Sequence, residues 1–135
     1  MKFRRERHSV TDLKAHIICI AKYRDQVFSP EELELIEKVF YEVAKKMNMQ
    51  ILEINGEENH LHALIEYPPK LSISKILNSL KGVSSRRYGQ AGFKKPRGKP
   101  ALWSPSYCAV SVGGAPIETL IRYIKNAEGA RTAST

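Results

Sequence analysis

The chain has 135 residues, 42% of them hydrophobic, a length and balance that suit one compact domain around one core. No apolar run approaches the roughly 18 residues needed to cross a bilayer. The charged start M-K-F-R-R-E-R-H has no apolar stretch behind it, so neither a membrane span nor a secretory leader is expected and the chain reads as cytoplasmic.

The formal net charge of +8 and a pI of about 9.6 favour a polyanionic partner, because Lys and Arg displace counterions condensed on a phosphate backbone. Residues 1–12 are polar and charged and read as a flexible or edge segment. Residues 13–23, L-K-A-H-I-I-C-I-A-K-Y, are apolar and β-branched enough for a buried strand. Ser29, Pro30, Glu31 and Glu32 then mark a helix start, with a capping hydroxyl, a proline at the first helical position and acidic groups at the positive end of the dipole. Leu33, Ile36, Val39, Phe40, Val43, Ala44 and Met47 recur at helical spacing, which predicts one amphipathic helix over 30–48.

A second strand fits 50–54, with Asn55-Gly56 as a turn, and a third fits 60–67, ended by Pro68-Pro69. Ser72 opens a second helix through Ile73, Ile76, Leu77 and Leu80 toward Tyr88. Residues 89–100 form a Gly/Pro-rich basic loop, and Trp103 and Pro105 lead into a fourth strand over 106–112. Gly113-Gly114 turns the chain, Pro116 starts a last helix running to about Asn126, and the tail from Glu128 lacks periodicity and reads as disordered. One domain over 1–127 with a tail over 128–135 is therefore expected. The order β-α-β-β-α-β-α is the ferredoxin-like split βαβ arrangement of the α+β class, with an added C-terminal helix. Cys19 and Cys108 lie in apolar strand-like runs without CxxC spacing and read as small buried side chains, not zinc ligands.

His60-Leu61-His62 places two imidazoles on one face of the third strand, their Cβ atoms ~6.5–7 Å apart. Rings so spaced suit a shared cation; they equally suit an idle solvent face. His16 reads as a core or sheet-face residue and His8 as solvated. Of the six tyrosines, Tyr23, Tyr41, Tyr67 and Tyr107 read as packing, and Tyr88 as a local packer or a base-stacking ring. Tyr123 sits on the flank of an apolar stripe made by Ile117, Leu120, Ile121 and Ile124, where a ring rests on protein while its hydroxyl reaches solvent. Lys81, Arg86, Arg87, Lys94, Lys95, Arg97 and Lys99, interleaved with Phe93 and Trp103, suit a single nucleic-acid strand, whose phosphates need charge and whose bases need flat partners.

With these residues in place, the chain resembles the HUH single-tyrosine transposases, the very small transposases of hairpin-ended bacterial and archaeal insertion sequences. The likeness spans about residues 10–127. It runs through L-K-A-H-I-I-C-I-A-K-Y-R, E-E-N-H-L-H-A-L-I, K-G-V-S-S-R-R, L-W-S-P-S-Y-C-A-V-S-V-G-G and I-R-Y-I-K-N-A. The resemblance implies Mg2+ or Mn2+ held by His60 and His62, a nucleophilic Tyr123, and cleavage of single-stranded DNA with hairpin ends. It also implies a homodimer whose active sites join the histidines of one chain to the tyrosine of the other. Two positions depart from the family pattern. Ala127 stands where a glutamine often completes the metal site, and Asn59 stands where an aspartate is common. The rival readings are a non-catalytic nucleic-acid-binding module on the same fold and a domesticated relative that processes DNA hairpins.

Overall fold

In a computed structural model, residues 3–113 are described. Two short strands, β1 (Arg4–Glu6) and β2 (Ser9–Thr11), pair into a hairpin. They precede the core elements β3 (Lys14–Ala21), α1 (Pro30–Lys46), β4 (Gln50–Gly56), β5 (His60–Glu66), α2 (Ile73–Gln90) and β6 (Trp103–Ser111). The four core strands form one antiparallel sheet in the order β4-β5-β3-β6. The first strand of the split βαβ unit thus lies between the third and the fourth, as the ferredoxin-like arrangement requires.

Strict alternation builds the two faces. Ala15, Ile17, Cys19 and Ala21 on β3 are buried, as are Leu61, Ala63 and Ile65 on β5, and they meet Ile36, Val39, Phe40 and Val43 of α1 and Ile76, Leu77 and Leu80 of α2. The intervening residues, His16, Ile18 and Ile20 on β3 and His60, His62 and Leu64 on β5, are half-buried on the opposite, open face. At the start of α1 the Glu32 carboxylate accepts from the Ser29 backbone N–H at 2.9 Å and from its hydroxyl, a capping box. At the start of α2 the Ser72 hydroxyl accepts from the Lys75 N–H at 3.2 Å.

Several sequence expectations need correction. Of the flexible and edge readings of the first segment, residues 3–12 exclude the flexible one: Arg4 grips Glu66 through two nitrogens at 2.6 and 2.7 Å and ties the hairpin to the end of β5. Asn55-Gly56 is not the turn. Strand β4 runs through Gly56, whose missing side chain makes room for Leu33 of α1, since a Cβ there would collide with it. Strand β6 begins at Trp103, three residues early, and tolerates Pro105 because a sheet edge leaves some backbone N–H groups without a ladder partner. Cys19 is buried as expected but Cys108 is exposed. Their strands are neighbours, yet Cys108 opposes Ile18 on the open face while Cys19 faces the core, so the two thiols stand on opposite sides of the sheet. The expected last helix and tail lie outside the described residues.

Candidate metal and DNA site

The open face carries the histidines. His60 and His62 stand two apart on β5, with Ile20 and Ile18 of β3 directly across. The Nδ1 of His60 lies 2.9 Å from the Oδ1 of Asn59. With that oxygen as acceptor, the proton sits on Nδ1 and the lone pair on Nε2, the state in which an imidazole binds a cation. The asparagine that departs from the family pattern therefore still orients its neighbour.

His62 has a partner that sequence reasoning set aside. His16 lies diagonally across on β3, its Nδ1 2.8 Å from the Nε2 of His62, and the rings stack at 4.9 Å between centroids and 22° between planes. Strand parity alone puts His16 on this face, but only the register, His16 opposite Leu64, brings it within reach of His62. Among the described residues, no three His, Cys, Asp or Glu side chains gather closely enough to hold a cation together. His16 cannot serve His60's cation as well, because the two sit at opposite ends of a four-residue stretch of sheet, about 13 Å at ~3.3 Å per residue. Tyr123 and Ala127 lie outside the described residues.

The basic residues divide by partner. Lys81 is drawn into the structure: its Nζ donates to the Ser104 carbonyl at 2.7 Å and lies 5.8 Å from the Tyr107 ring centre. Burial lowers its pKa from the ordinary lysine value. Arg87 pairs with Glu42 at 2.7 Å. Arg97 pairs with Asp25 at 3.6 Å and lies over the exposed Tyr23 ring at 4.1 Å. Arg86, Lys94 and Lys99 are exposed and Lys95 is half-buried.

The aromatics expected to stack on bases pack against the protein instead. Trp103 is 6% exposed, and its indole N–H donates to the Ser84 hydroxyl at 2.9 Å. Phe93 packs half-buried on Tyr88, whose hydroxyl donates to the Val27 carbonyl at 3.1 Å. Among the described residues the exposed phenol rings are Tyr23, Tyr41 and Tyr107.

The family model described as "Transposase IS200 like" matches residues 9–127. The chain belongs to the IS200-like transposase family. It is 32% identical over 110 residues to the transposase for insertion sequence element IS200 of Salmonella typhimurium, covering 78% of this chain and 71% of that protein. It is 28% identical over 130 residues to the ISDra2 transposase TnpA of Deinococcus radiodurans, covering 93% and 91%. A solved Deinococcus radiodurans structure assigned to the transposases superposes with a TM-score of 0.75 at 28% identity, over 91% of this chain and 96% of that one. A REP-associated tyrosine transposase bound to a REP hairpin shares the fold, with a TM-score of 0.59 at 12% identity, over 83% and 63%. Transposition is the function that membership carries.

Proposed function

We propose that this IS200-like transposase cleaves and rejoins single-stranded DNA at insertion-sequence ends through a 5′-phosphotyrosine intermediate, with Tyr123 as nucleophile and Mg2+ or Mn2+ at His60 and His62. The observation that carries this reading is the pair of imidazoles on the open sheet face, with the Nε2 of His60 left as a lone-pair donor by Asn59. Two imidazoles fit a divalent cation whose remaining positions are filled by water and phosphate, and manganese accepts nitrogen and oxygen donors alike. When bound, the cation supplies positive charge to a non-bridging oxygen of the scissile phosphate.

The Tyr123 oxygen forms a bond to phosphorus as the bond from phosphorus to the 3′ oxygen breaks. The phenol proton ends on the released 3′ oxygen. Because a free phenol titrates near ~10, the DNA-bound site has to favour the phenolate. The covalent link conserves the phosphodiester, so a 3′-hydroxyl from a second strand rejoins it with no nucleotide cofactor and returns the proton to tyrosine. A homodimer with composite sites and recognition of hairpin ends complete the proposal. The hairpin bound by the structural neighbour supports the latter.

The test incubates protein and manganese with single strands copied from the DNA flanking its gene. A covalent protein–DNA adduct that disappears in Tyr123→Phe and His62→Ala is expected. One observation favours a second reading, a binding module with idle histidines: the Nε2 of His62 is already engaged by His16. Tight binding without any adduct would select that reading.

A further inference from the structure

Beside His60 the open face has a recess floored by Ile18 and Ile20 and walled by His60, Asn59 and Arg24. Arg24 reaches it from the turn after β3, and that turn is strained. Tyr23 has φ 63° and Arg24 has φ 56°, two successive left-handed residues without a glycine between them. The turn is held on both sides. The Ala21 N–H donates to the Asn59 carbonyl and the Lys22 N–H to the Leu102 carbonyl, each at 2.9 Å, while Arg97 covers Tyr23. The carboxylate next in sequence, Asp25, is taken by Arg97. Among the described residues the exposed guanidinium of Arg24 has no carboxylate partner.

A cation aimed into a recess that already contains a proposed metal ligand, on a backbone that costs energy to hold, is arranged for an anion. We propose that Arg24 grips the scissile phosphodiester of the single strand and seats it beside His60. Its planar fork matches two phosphate oxygens at once. The inference rests on the cleavage reading above and names a substrate contact that the basic residues of α2 and the loop after it do not provide. Lys81 and Arg87 are engaged by Ser104 and Glu42, and Arg97 packs on the same turn against Tyr23 and Asp25.

The test uses Arg24→Gly, which suits a left-handed backbone and removes only the side chain, alongside Arg24→Lys. Adduct formation with manganese and the flanking single strand is measured beside thermal unfolding and manganese binding. The Gly variant should melt no lower than the parent and bind manganese equally. Its adduct rate should fall about 100-fold, as for loss of one preorganised donor to a transition-state oxygen, and Lys should restore part of it. Its salt dependence of strand binding should also flatten by about 0.7 in logarithmic slope, the loss of one single-strand phosphate contact. A Gly variant as active as the parent overturns the inference while leaving the cleavage reading intact. A parent that forms no adduct overturns both.

Discussion

The Nδ1 of His16 and the Nε2 of His62 lie 2.8 Å apart, so a histidine of the first core strand holds a proposed metal ligand of the third. A cation that takes His62 through Nε2 must displace His16. One hydrogen bond of this kind is worth about 1 kcal/mol, so His16→Ala should bind manganese about fivefold more tightly, read from the free-ion signal in electron paramagnetic resonance. Weaker binding by that variant would make His16 a support for the site, and the competition account would be wrong.

Asn59 acts in the opposite sense. Its Oδ1 accepts from His60 at 2.9 Å and fixes the ring with Nε2 free. Such partners of metal-bound histidines typically contribute about 10–100-fold in affinity. Asn59→Ala should fall in that range and Asn59→Asp should not, with melting temperature little changed in either.

The proposed composite active sites make a prediction of their own. Tyr123→Phe and His62→Ala should each be inactive, yet a mixture allowed to exchange subunits should recover about a quarter of the parent's sites, because half the dimers are mixed and each has one intact site. A mixture as dead as its components would place histidines and tyrosine on the same chain.

Arg4 and Glu66 are nearly buried, with side-chain exposures of 12% and 11%, and this bond raises the Arg4 pKa. Removing one partner strands the other, so Arg4→Ala should cost about 3 kcal/mol in urea unfolding. Replacing both by Met and Leu should cost much less, and a double variant as unstable as the single would refute this.

The thiols should behave as opposites. Burial pushes the Cys19 thiol up to about 12, against the nearby Lys81 charge, whereas Cys108 is exposed. A disulfide reagent should therefore label Cys108 at once and Cys19 only on unfolding. Burial, with Glu32 adding to it, also pushes the Tyr88 hydroxyl up to about 12. Both groups keep their protons in the fold after the unfolded chain has lost them. Stability should hold below about pH 9, where both states are protonated, and fall as the pH rises toward 12. Tyr88→Phe should flatten the upper part of that decline.

The order of core elements was legible because β3 and β5 alternate and α1 repeats at helical spacing, each a local pattern. The hairpin was not, since β1 and β2 are three residues each and depend on an Arg4–Glu66 contact across 62 positions. The His60–His62 pair was legible from strand period alone. His16 was not, because register is a long-range property, and Arg24 was not, because nothing in K-Y-R-D announces two left-handed residues. Trp103 beside a basic loop looked like a base platform, yet its place at the start of β6 turns it into the core.

The central claim concerns the bond to Tyr123. The adduct formed with manganese should be digested with trypsin and nuclease and its peptides weighed. The account predicts a 5′-nucleotide on the peptide Tyr123-Ile124-Lys125, which trypsin releases after Arg122 and Lys125. A nucleotide on any other peptide, or strand cleavage that leaves no peptide-bound nucleotide, would contradict it.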